Sequence, residues 1–126
     1  MSSFRRQFHT DLGTEALSGT GVERILQNVG SYPTILYGVT IANQTRPTAD
    51  PRPAFFYISP DLVTGSRNYG IKWISGYNDG AWDLAYPAYI PQGHFLRMFA
   101  YGEIGDIVGF QYSGDNTMID RGNVHS

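Results

Sequence analysis

The sequence predicts an all-β domain: an antiparallel β-sandwich or jelly roll of about seven or eight strands, preceded by an extended N-terminal arm. Three observations predict it. In "TILYGVTIAN" (34–43), Ile35, Tyr37, Val39 and Ile41 share one parity, while Thr34, Gly38 and Thr40 share the other. In "DIVGFQYS" (106–113), Val108, Phe110 and Tyr112 repeat the pattern, which marks strands with one face in a core. Second, the short apolar runs are separated by turn formers, among 15 glycines and 7 prolines in the chain. Third, strong helix formers are scarce, with one lysine (Lys72) and three glutamates in 126 residues.

Taken in order, residues 1–21 carry no steady period and include "LGTEALSGTG", so they read as an arm before a single domain at 22–126. "VERILQNV" (22–29) fits either a strand or two helical turns. "GSYP" (30–33) turns the chain, and Pro33 opens the strand that follows. "RPTADPRP" (46–53) places three prolines in eight residues and is a loop stiffened by fixed φ angles. "AFFYIS" (54–59) is a short aromatic strand ended by Pro60–Asp61. In "NYGIKWISGY" (68–77), Ile71, Trp73 and Ser75 alternate with Lys72, Ile74 and Gly76, and "NDG" (78–80) has the residues of a tight turn. Pro87 and Pro91 in "AWDLAYPAYIPQG" (81–93) mark an edge or bulged strand. "HFLRMFAY" (94–101) is expected to pair with 106–113 across "GEIG", and "MIDRGNVHS" (118–126) supplies a last, polar-edged strand.

The length suits one domain with one modest core. A net charge of −2 argues against an extended nucleic-acid surface, with Arg5–Arg6 the one local basic pair singled out. With no cysteine, disulfides, thiolate metal sites and thiol catalysis are excluded. No apolar run approaches the roughly 18 residues of a membrane helix. The opening "MSSFRRQFHTDLG" lacks an apolar stretch after its arginines, so synthesis in a cytoplasm without a secretory signal is expected.

The sequence contains no G-x-S-x-G, H-E-x-x-H, phosphate-loop or dinucleotide-binding motif. His9, His94 and His125 lie far apart and are expected on the surface, with no metal or cofactor. A glycosidase needs two carboxyl groups facing each other across a cleft. Asp79, Asp83, Asp106 and Asp115 each sit in or beside a turn, where aspartate is favoured for bonding to the backbone. A non-enzymatic protein is therefore expected. Tyr69, Trp73, Tyr77, Trp82, Tyr86 and Tyr89 are more aromatic residues than a small core needs, and they suit glycan stacking or protein contact. Tyr77, Asp79, Trp82 and Asp83 form the candidate contact surface. In the glycan-binding alternative, Trp82 with Asp79 and Asp83 holds the sugar. Within the arm, Phe4, Arg5, Arg6 and Phe8 are the candidate anchors on a neighbouring protein.

The order "FRRQF…LGTEA", "TILYGVTIAN", "YPAYIPQGHFLRM", "GEIGDIVGFQYSGDN" resembles small virion structural proteins of tailed bacteriophages. The matching positions are Gly13 and Thr14; Thr34 to Asn43; Ile90, Pro91 and Gly93; and Gly105 with Asp106. Residues 46–80 lie outside that shared order. The resemblance implies a β-sandwich used repeatedly in a particle, as a capsid decoration (cement) protein or a neck, tail or baseplate component. It implies residence in the virion and contact with the major capsid protein or with neck and tail proteins. It also implies a homo-oligomer in a symmetric assembly, without direct contact to nucleic acid or membrane.

Overall fold

The computed structural model describes residues 6–11, 21–43, 52–63, 68–77, 79–101, 107–115 and 118–120. Among them are nine strands and no helix: β1 (Arg6–Asp11), β2 (Gly21–Asn28), β3 (Thr34–Asn43), β4 (Arg52–Ser59), β5 (Tyr69–Tyr77), β6 (Asp79–Ile90), β7 (Phe95–Tyr101), β8 (Val108–Asp115) and β9 (Met118–Asp120). All pairings between them are antiparallel. One sheet has the order β1-β8-β3-β6, the other β5-β4-β7-β2-β9. The pairs β4·β5, β3·β6, β2·β7 and β1·β8 nest inside one another like a single long hairpin. Pairing of β3 with β8 and of β4 with β7 rolls that ribbon into two sheets. This is the jelly-roll order, with the short β9 added outside β2.

Apolar inner faces hold the two sheets together. Leu36, Val39, Ile41, Ile90, Val108, Phe110 and Tyr112 come from one, and Leu26, Ala54, Phe56, Ile58, Leu96 and Met98 from the other. Phe56 and Phe110 meet across the middle, ring centroids 6.4 Å apart and nearly perpendicular, the edge-to-face geometry that the ring quadrupole favours.

The parity expected for β3 holds only in its second half. Tyr37 is an extra residue relative to β8, since Leu36 stands opposite Gly114 and Gly38 opposite Ser113. This bulge reverses the alternation. Before it Thr34 and Leu36 are buried, and after it Val39 and Ile41, while Ile35 and Tyr37 are only partly buried. Gly114 accepts the close approach, because a Cβ there would stand 2.6 Å from the Ile35 carbonyl oxygen. A second bulge leaves Ile71 unpaired in β5, where Lys72 faces Phe56 and Gly70 faces Tyr57. Ile71 and Ile74 therefore both pack on the core, and Trp73 points out.

The expected hairpin between 94–101 and 106–113 does not form. Both edges of β7 are taken by β2 and β4, and both edges of β8 by β1 and β3, so "GEIG" links the two sheets. "VERILQNV" is a strand. β6 is an edge strand, as Pro87 indicates. Residues 84–87 have no partner in β3, between Asp83, opposite Gly38, and Ala88, opposite Leu36. Within the N-terminal arm, residues 6–11 are the edge strand β1, paired along its length with β8.

One end of the sandwich is fastened by Asn28, which is fully buried. Its Nδ2 donates to the carbonyls of Tyr32 (2.9 Å) and Ile90 (2.8 Å), and its Oδ1 accepts from Gly30 N–H (2.9 Å). The Asn28 main chain exchanges hydrogen bonds with Gly93 and His94. Gly93, at φ 81°, supplies the left-handed turn this requires.

Candidate functional site

The outer face of the five-stranded sheet departs from the polar surface usual for a sandwich. Phe55 stands opposite Phe99 on one side and Trp73 on the other. Phe55 and Trp73 stack edge to face at 4.2 Å, Phe55 lies 5.8 Å from Phe99, and Phe99 lies 5.1 Å from Tyr101. Gly21 has no side chain where the Phe99 ring passes over it. The cluster opens to solvent at its margin, where Trp73 is 63% and Tyr101 38% exposed. Beside it a groove of about 630 Å³ is lined by Phe55, Tyr57, Asn68, Ile71, Lys72 and Trp73.

Toward β2 the same face closes over a polar knot. Arg97 donates to Glu23 through Nε (3.0 Å) and Nη2 (3.2 Å), a bidentate ion pair between two buried residues. Tyr57 O–H donates to the same carboxylate at 2.9 Å, and the Arg97 guanidinium lies 5.2 Å above the Tyr57 ring. Burial first, and then the charge and hydrogen bond of Glu23, push the Tyr57 hydroxyl up to about 12, with Arg97 partly opposing. This knot ties β2, β7 and β4 together beside the aromatic cluster.

A second aromatic surface lies where the edge strands β5 and β6 of the two sheets face each other. Tyr69, Tyr86 and Tyr89 are 68%, 83% and 60% exposed. They line adjoining clefts of about 470 and 320 Å³ with Pro87, Pro91 and His94.

Of the residues expected from sequence to make the contact surface, Trp82 and Asp83 have described side chains, and these two point apart. Trp82 stands opposite Val39, and its partly buried side chain packs against the core. Its neighbour Asp83 lies on the other face of β6, exposed, beside Gly38. Adjacent strand residues point to opposite faces, so Trp82 and Asp83 cannot grip one sugar together. Tyr77 and Asp79 have backbone partners Arg52 and Ala42, and their side chains lie outside the described residues. Arg6 and Phe8 stand opposite Gly114 and Tyr112, while Phe4 and Arg5 lie outside the described residues. Phe55, Phe99 and Tyr101 were missed. Their signal is "AFFYI" and "FLRMFAY", strands apolar at both parities, which implies a second covered or contact-making face.

Among the described residues, no three acidic or histidine side chains gather to hold a metal. Comparison of the chain with protein families, characterised proteins and solved structures returned no match.

Proposed function

We propose that this chain is a non-enzymatic structural subunit of a phage particle. Capsid decoration is its first assignment, with a neck, tail or baseplate position second. The observation that carries the reading is the outward aromatic face of Phe55, Trp73, Phe99 and Tyr101. Large exposed aromatic clusters on small domains mark protein contacts, and this one lies on a sheet face beside a buried ion pair. The motif order shared with small virion proteins supports the same reading. The jelly roll is compatible with it, since capsid domains use that fold, but so do lectins and cupins.

The glycan-binding alternative finds less support, because the Trp82 ring packs against the core and Asp83 lies on the other face of β6. The test is occupancy on particles. The tagged chain should co-sediment with particles assembled in its presence, and density for it should appear at symmetric positions in their images. Trp73→Ala combined with Tyr101→Ala should lower occupancy at least tenfold with the melting temperature unchanged. A chain that stays in the soluble fraction while particles assemble overturns the proposal.

A further inference from the structure

We propose that the tyrosine cleft between β5 and β6 receives the proline-rich β3–β4 segment of a second copy of this chain, joining copies head to tail. The inference rests on the assembly reading above and gives it a mode of self-association.

The cleft has the chemistry for such a guest. Tyr69, Tyr86 and Tyr89 are exposed and line the clefts with Pro87 and Pro91. Aromatic-lined grooves of this kind dock extended proline-rich segments, which lose little entropy because they are already stiff. The chain contains one such segment, "RPTADPRP" at 46–53. Pro47, Pro51 and Pro53 have fixed φ, and each preceding residue (Arg46, Asp50, Arg52) is steered to the same extended region. Four of the six positions ahead of β4 (Arg46, Pro47, Asp50 and Pro51) are therefore biased toward one conformation, and Arg52 and Pro53 begin β4 itself. With Arg46 and Arg52 against Asp50, residues 46–53 carry a net positive charge, opposite in sign to Asp61, which follows the cleft residue Pro60.

Geometry makes the host a different copy. The segment leaves β3 at Asn43 and enters β4 at Arg52, which is opposite Tyr77. The cleft lies at the other end of the same strands, where Ile58 is opposite Tyr69 and Ile35 opposite Tyr89. From Arg52 to Ile58 the strand rises about 20 Å. A loop tethered at Asn43 and Arg52 reaches out and back by only about 15 Å. It cannot fill its own cleft. A donor at one end and an acceptor at the other make a heterologous contact, which closes into rings or runs into filaments according to its rotation.

The experiment uses the full chain in solution, away from particles. By sedimentation velocity, wild type should associate beyond a dimer as concentration rises. Tyr69→Ala with Tyr86→Ala, and separately Pro47→Ala with Pro51→Ala, should each associate at least tenfold more weakly. Their equimolar mixture should stop at a dimer, because one intact loop then meets one intact cleft. A synthetic peptide of residues 44–53 should bind wild type and bind the tyrosine variant at least tenfold more weakly. Wild type that stays monomeric, variants that associate like wild type, or a mixture that remains monomeric overturns the proposal. So does a cleft that binds an oligosaccharide panel and ignores the peptide. Particle occupancy retained alongside any of these failures removes the head-to-tail contact and leaves the structural-subunit reading standing.

Discussion

Leu36 and Val39, three residues apart in one strand, both point into the core. A regular strand sends residues at odd spacing to opposite faces, so the bulge at Tyr37 is what allows it. Leu36→Asp and Val39→Asp should each destabilise the domain by about 3–5 kcal/mol, the cost of an uncompensated buried charge. Ile35→Asp, on the outer and partly buried face, should cost about 1 kcal/mol. Urea denaturation measures all three. An Ile35 variant as damaged as the Leu36 variant would mean that the register of β3 is wrong.

The same bulge explains where sequence reasoning stopped. Alternation in 106–113 is legible because β8 keeps its register throughout, and Val108, Phe110 and Tyr112 are buried as expected. In 34–43 and 68–77 the apolar residues at both parities hid a reversal, since one unpaired residue in each strand, Tyr37 and Ile71, lets Leu36 with Val39 and Ile71 with Ile74 reach the core. Pro87 did announce the irregular edge of β6, because proline cannot donate to a ladder. Pairing was harder to read than strand existence. The "GEIG" and "NDG" segments have hairpin chemistry, yet both link strands in different sheets. The aromatic residues were visible as a group, but their faces were not. That depends on register, which is why Trp82 rather than Trp73 stood out.

Tyr57 gives the polar knot a pH signature. Its hydroxyl is pushed from 10.0 to about 12, chiefly by burial and then by Glu23. Below pH 10 folded and unfolded chains both keep the phenolic proton. Above it the unfolded chain releases the proton first, so this contribution to stability is lost as pH rises from about 10 to about 12. Absorbance at alkaline pH should show a late-titrating component that Tyr57→Phe removes. The urea midpoint of wild type should fall more steeply across that window than that of the variant. Equal slopes would place the Tyr57 proton outside the knot.

Asn28 should be the most sensitive polar residue at its end of the sandwich. Its side chain serves two carbonyls and one N–H, holding the turn after β2 and tying β2 to the end of β6, with which it has no strand pairing. Asn28→Ala leaves those groups without their partner and should cost about 2–4 kcal/mol. Asn28→Asp should cost at least as much, because a carboxylate oxygen would then face the Ile90 carbonyl. The Pro91–His94 turn, which borders the tyrosine cleft, should lose amide-exchange protection at Gly93 in both variants. Protection retained at Gly93 would show that the turn holds without Asn28.

Strand β1 decides what the N-terminal segment does for the fold. A segment ordered only by a partner would leave the isolated domain's melting temperature unchanged when removed. Here Arg6–Asp11 pairs with β8 from Gly114 to Gly109, along the strand that carries Val108, Phe110 and Tyr112 into the core. Deleting residues 2–11 strips the ladder from that edge and uncovers the flank of those side chains. If about 100 Å² of apolar surface is exposed, the loss is about 2.5 kcal/mol. For a domain of this size that is a fall on the order of 10 °C in melting temperature. Calorimetry on the truncated chain measures it directly. A truncated domain that melts where the full chain does would show that β1 adds no stability to the isolated sandwich, and that its anchors act on a neighbour instead.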